Sequence, residues 1–118
     1  MSIEYELRAS PEQEAESLAT ELLRGVPMGE AERARARGVI RADVRARRAV
    51  EPVPGEPRAA WERGRALMAE RDAALAALFD TEAQRSAFAA NAAAHRAMLD
   101  ALRREGGRRR AEHGPAAG

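Results

Sequence analysis

The spacing of apolar positions changes along the chain, and the changes divide it. Ile3, Tyr5 and Leu7 alternate with Glu4, Glu6 and Arg8. A period of two suits an extended arm over residues 1–9, laid on a helix or on a partner chain. From Pro11 the period lengthens: Ala15, Leu18, Ala19, Leu22 and Leu23 share one helical face, and the run Arg24-Gly25-Val26-Pro27 stops it. A second helix is predicted from about Met28–Glu30 to about Val50, with Ala36, Val39, Ile40 and Val44 as its stripe. Residues 51–57, EPVPGEP, hold three prolines and a glycine, through which no helix passes.

Beyond that linker, Trp61, Leu67, Met68, Leu75, Leu78 and Phe79 predict a third helix over about Arg58 to Phe79. Gly64 and Arg71 interrupt its stripe where leucine-like residues are expected. The fourth helix, Glu82 to about Arg104, places Phe88, Asn91, Ala94, His95, Met98, Leu99 and Leu102 on one face. Residues 105–118, EGGRRRAEHGPAAG, lack apolar periodicity and open on a glycine pair, the composition of a disordered basic tail. The expected fold is all-α: a single domain over residues 1–104, four helices as two helical hairpins on either side of the proline-rich linker.

Composition adjusts this picture. Of 118 residues 45% are hydrophobic, but much of that is alanine and only 3% are aromatic. Alanine offers little area to bury, so a monomer is thinly stabilised and a homodimer is expected to add to the core. Basic and acidic residues nearly cancel, at +1, which gives no global field toward nucleic acid or membrane. All twenty basic residues are arginine, and cysteine is absent, which excludes disulfides, thiolate metal sites and cysteine nucleophiles. No apolar run is long enough to span a bilayer. The start, MSIEYELRAS, shows no basic region followed by an apolar one. The expected location is periplasm or cell envelope if a signal or anchor has been removed, and cytoplasm otherwise.

Two helix starts carry the same short pattern. Ser10-Pro11-Glu12-Gln13 and Thr81-Glu82-Ala83-Gln84 both read as capping boxes, a hydroxyl accepting from an orphan N–H while Gln three residues on reaches back to the cap residue. Pro11 at the first helical position and a Glu in each first turn agree with that reading. Paired, each opening a helix of a helix–linker–helix unit, and followed in the second by Phe88, these motifs resemble the LTxxQ-motif periplasmic family of Spy-like and CpxP-like proteins, with its heavy-metal-resistance relatives. Ser10, Gln13, Thr81 and Gln84 match the family's Thr and Gln positions, while Ala9 and Asp80 stand where its leading leucines would be. The resemblance implies a small all-helical dimer that binds other polypeptides under envelope stress without ATP, or an accessory to metal sensing or resistance.

Candidate chemistry is sparse. His95 with Met98 is the one pairing that suggests a divalent metal, but a site needs three or four ligands. Met28, Met68 and Met98 suit an adaptable binding surface or ordinary core filling. Trp61 reads as a core or dimer anchor. A client-binding face is expected around Arg37, Ile40, Arg41, Val44, Leu67 and Met68. The arginines of the second helix are spread around it with Glu30, Glu32 and Asp43 interleaved, the pattern of a solvated face rather than a nucleic-acid site; weak nucleic-acid binding by a cytosolic adaptor is the remaining alternative. No nucleophile elbow, P-loop, dinucleotide fingerprint or zinc-protease motif occurs, so a non-enzymatic binding protein is expected.

Overall fold

The computed structural model describes the backbone of residues 9–117 and the side chains of residues 9–108. The expected arm over 1–9 therefore lies almost wholly outside the described residues. Four helices follow in order: α1 Pro11–Leu22, α2 Glu30–Arg48, α3 Pro57–Leu78 and α4 Glu82–Ala117. The all-α fold is thus as the periodicity predicts, with the first three helices within about two residues of the expected bounds.

Short connections make consecutive helices neighbours. α2 packs on both α1 and α3, and α4 closes the ring by packing on α1 and α3; among the described residues the backbones of α1 and α3 stay farther apart than those of these pairs. After α1 the chain turns at Gly25, whose φ of 71° is a conformation that side-chain-bearing residues avoid. Between the hairpins, Val53 to Glu56 form a tight turn in which the Glu56 N–H donates to the Val53 carbonyl at 2.9 Å. Pro54 and Gly55 hold its central positions, and the φ of 82° at Gly55 is what a type II turn requires.

The helical bundle has two unlike ends. At one end the aliphatic core is dry: Leu22 and Val26 after α1, Ala36 and Ile40 of α2, Leu75 and Phe79 of α3, and Phe88 and Ala92 of α4 are all buried. The rings of Phe79 and Phe88 lie 5.5 Å apart and tilted by 53°, a favourable aromatic contact. Toward the other end charge enters the interior. Arg71, whose side chain is 1% exposed, donates to Asp43, 3% exposed, at 3.3 Å. Asp43 was expected on a solvated face. It is buried because Arg71 occupies a core-facing register of α3 and needs a carboxylate beside it.

The remaining arginines of α2 are largely spoken for. Arg37 pairs with Glu16, Arg45 with Glu12, and Arg47 and Arg48 with Glu14, at 2.8 to 3.4 Å. These exposed or half-exposed pairs stitch α2 to α1, each worth up to about 1 kcal/mol.

α4 runs further than its apolar stripe. Its backbone is helical to Ala117, past the expected stop near Arg104 and into the stretch read as a disordered tail. The stripe does end there, for Leu102 is 62% exposed and residues 103 and 104 are exposed too. Within this extension Arg108 pairs with Glu105 one turn away, an i,i+3 contact beside Gly106-Gly107.

Candidate polypeptide-binding cleft

Because α1 and α3 stand apart at the charged end of the bundle, a cleft of about 960 Å³ opens between them, flanked by α4 and reaching Arg47 of α2. α1 contributes Glu14, Ser17, Leu18 and Glu21 to its wall. α3 presents Trp61, Arg65, Met68, Ala69 and Asp72, which recur every three to four residues and so share a face. α4 answers with His95, Arg96, Leu99, Asp100 and Arg103 in the same rhythm.

The charges inside are mostly paired across helices. Arg65 donates to Asp100 at 2.9 Å, tying α3 to α4, and Arg96 donates to Asp72 at 3.3 Å. Asp72 also accepts from Arg71 at 3.0 Å. Behind them, Oδ2 of Asp43 accepts from Arg71 and from Arg47, whereas Asp43 Oδ1 is buried with no hydrogen-bond partner among the described residues. Arg103 differs: its guanidinium lies 3.8 Å from the centre of the Trp61 ring, with Arg65 5.2 Å away. Stacked on the indole, Arg103 is held in place by a cation–π contact, and no carboxylate among the described residues pairs with it. Trp61 is itself 37% exposed. The cleft thus offers an aromatic face, an apolar wall of Leu18, Met68 and Leu99, and an arginine at its mouth.

Both capping boxes form, with unequal roles. Gln13 stays exposed and its bonds are local: Ser10 N–H donates to Gln13 Oε1 at 2.8 Å, and Gln13 N–H donates to Ser10 Oγ at 3.1 Å. Gln84 is buried, at 6% exposure. Its Oε1 accepts from the N–H groups of Asp80 and Thr81, and its Nε2 donates to the Pro27 carbonyl at 2.9 Å and to Glu32 Oε2 at 3.0 Å. The other oxygen of Glu32 accepts from the Gly29 N–H at the start of α2. One carboxylate and one amide therefore join the starts of α2 and α4. Farther along α4, Asn91 Nδ2 donates to the carbonyls of Leu22 and Arg24, satisfying the open end of α1, and His95 Nδ1 sits 2.9 Å from Glu21 Oε1. Gln84, Asn91 and His95 form a polar seam that sets α4 against α1 and so fixes one wall of the cleft.

The expected client-binding face requires correction. Ile40 and Val44 are fully buried and Leu67 is 9% exposed, because they fill the interior between α2 and its neighbours, so none of the three offers surface to a client. Arg37 is tied to Glu16 and lines a separate shallow depression with Leu23, Arg24 and Val26; Arg41 is exposed on α2. Only Met68 of the six lines the cleft. Of the other methionines, Met28 packs against the core and Met98 is 44% exposed outside the cleft wall. His95, paired in the sequence reading with Met98, has its Nδ1 2.9 Å from Glu21 Oε1. Among the described residues no three His, Asp or Glu side chains are arranged to hold a metal, and no helix is long and apolar enough to cross a membrane. Trp61, Arg65, Arg96, Leu99 and Arg103 went unrecognised as a group. Their signal was the i, i+3/i+4 recurrence of mixed apolar and charged residues on two antiparallel helices, which looks like a broken core stripe until the two are faced. Searches against family models, curated proteins and solved structures find no match for the chain.

Proposed function

We propose that the chain is a chaperone-like binding protein that holds unfolded or partner polypeptide segments in the cleft between α1 and α3 without nucleotide. The observation that carries this reading is the cleft itself: about 960 Å³, open to solvent, with Trp61, Met68 and Leu99 beside paired and unpaired arginines. Apolar side chains of a client lose water against Leu18, Met68 and Leu99. Arginine and tryptophan are the side chains most often found to dominate binding at protein interfaces, because they combine large area with directional contacts. Methionine at the wall adapts to different sequences. The resemblance of the paired capping boxes to the LTxxQ-motif family supports the same reading and brings with it the proposals of an envelope location and a homodimer.

The test is light scattering of insulin during reduction by dithiothreitol, since the chain has no cysteine for the reductant to affect. Equimolar protein is expected to delay aggregation of the liberated B chain, and the emission of Trp61, the chain's single tryptophan, is expected to shift as the B chain binds. Unchanged scattering together with an unmoved emission would remove the proposal.

A further inference from the structure

The acids that α1 turns to α2 form a ladder, and the ladder stops one rung short of the arginines. Glu12 and Glu16 stand four residues apart on α1, and each takes an arginine of α2: Glu12 pairs with Arg45 at 3.2 Å and Glu16 with Arg37 at 2.9 Å. Four residues further along the same helical face stands Thr20. The arginines continue past it. Arg33 precedes Arg37 by one turn of α2, and Arg24 comes from the loop after α1; neither has an ion pair or a side-chain hydrogen bond among the described residues. Thr20, Arg24, Arg33 and Arg37 line one depression of about 620 Å³, and no carboxylate among the described residues shares its wall.

The backbone that carries Arg24 is fixed in place. Asn91 donates to the carbonyls of Leu22 and Arg24 at 2.9 and 2.7 Å, Gln84 donates to the Pro27 carbonyl at 2.9 Å, and the Val26 N–H closes on the Leu23 carbonyl at 3.1 Å. A ligand here has side chains to order but no loop to build. The Thr20 hydroxyl proton goes to the Glu16 carbonyl at 3.0 Å, so the donors left for a ligand are those of the arginines. Charge then selects the ligand. Arg24, Arg33 and Arg37 against Glu16, the one acid paired with any of them, leave a surplus of +2. A phosphomonoester carries about −1.5 to −2 at neutral pH with three strong acceptor oxygens, and guanidinium forks bond such oxygens in pairs. A carboxylate or a sulfate ester cancels only half of that surplus.

We infer that this depression is a binding site for a phosphate dianion, free or as a phosphomonoester, held by the guanidinium groups of Arg24 and Arg33 with Arg37 beside them. The ligand supplies the rung that Thr20 does not. The site shares no residue with the cleft, so it stands whether or not the cleft holds polypeptide.

Titration of the full chain with phenyl phosphate, followed by NMR, tests this. The backbone signals of Thr20, Arg24 and Gly25 and the Nε signals of Arg24 and Arg33 are expected to move saturably, while the Trp61 indole stays still. Phenyl sulfate, with the same ring and a single charge, is expected to bind several-fold more weakly. Arg24→Gln and Arg33→Gln should each weaken phenyl phosphate by about tenfold or more, the loss of one charged donor group. Thr20→Glu completes the ladder within the chain and should weaken it by a similar factor with the circular dichroism spectrum unchanged; Thr20 and Arg24 are both exposed, so these two variants carry the test even if Arg33→Gln unfolds. Inorganic phosphate that binds as tightly as phenyl phosphate assigns the free anion as ligand, and weaker binding assigns the ester. Absence of saturation at millimolar ligand overturns the site. So does an affinity that Thr20→Glu leaves unchanged, or a shift at Arg41, exposed elsewhere on α2, as large as that at Arg33, which marks diffuse attraction to arginine.

Discussion

Replacing each motif glutamine in turn separates a local cap from a tertiary joint. Gln84→Ala removes four hydrogen bonds: two accepted at Oε1 from Asp80 and Thr81, and two donated from Nε2 to Pro27 and Glu32. Three are neutral, at about 0.5–1.5 kcal/mol each, and the one to a carboxylate is worth about 1.5–3 kcal/mol. Water admitted to the vacated space recovers part of that sum, so the expected loss is about 3–5 kcal/mol. Gln13→Ala removes one accepted bond at an exposed site, a loss of about 0.5–1 kcal/mol. Urea unfolding followed by far-UV circular dichroism reads both, with the midpoint falling at constant m if the folded and unfolded states keep their areas. For a domain near 100 residues the difference corresponds to a gap in Tm of roughly 10–30 °C. Equal losses at the two glutamines would refute the assignment of Gln84 as the bond between hairpins. So would a Glu32→Ala background in which Gln84→Ala costs as much as before, because the two side chains share one interaction and must be non-additive.

Other expectations follow from the same geometry. Arg71→Ala should cost about 3–5 kcal/mol by leaving Asp43 buried and half paired, whereas Asp43→Leu/Arg71→Met should cost far less or stabilise, as found by denaturant titration of the three variants. Trp61→Ala should weaken B-chain binding about tenfold or more while leaving Tm nearly unchanged, since the ring is 37% exposed; a matching fall in Tm would make Trp61 structural. Glu12 has a carboxyl held below the usual glutamate value by its own backbone N–H and then by Arg45. Its contribution is therefore present above the unfolded-state pKa and lost as pH falls through the lowered one, and Arg45→Ala should move its NMR titration upward. Raising salt should loosen the α1–α2 pairs Arg37–Glu16 and Arg45–Glu12 more than the buried Arg71–Asp43 pair, seen as faster amide exchange in α1 before α3.

The helices were legible because each has a stripe and at least one chemical stop. Pro11 and Gly25 bracket α1, and Pro54-Gly55 sits where the turn before α3 requires it. Both capping boxes were legible for the same reason, since their bonds span only three residues. What Gln84 does beyond its cap was not, because Pro27 and Glu32 are more than fifty residues away and no local rule brings them together. Arg71 was visible as an anomaly in the α3 stripe, but its partner Asp43 was hidden among arginines that looked solvated. Ile40 and Val44 were placed both in the apolar stripe of α2 and on a binding face, in an alanine-rich chain with little apolar area to bury. In the folded chain they are fully buried for that reason: little else is available to fill the interior between α2 and α3.

The contrast between the two ends of the bundle also bears on how it breathes. Where Leu22, Ile40, Leu75 and Phe88 interlock, opening exposes several aliphatic side chains at once, and amide protons there should exchange only with global unfolding. At the Trp61 end the cleft separates α1 from α3, so parting those helices there exposes less apolar surface than at the opposite end. Protection against exchange should therefore fall along α3 from Leu75 toward Trp61 and rise along α1 from Glu14 toward Leu22. Such a gradient would let the cleft widen at a small fraction of the cost of unfolding the domain.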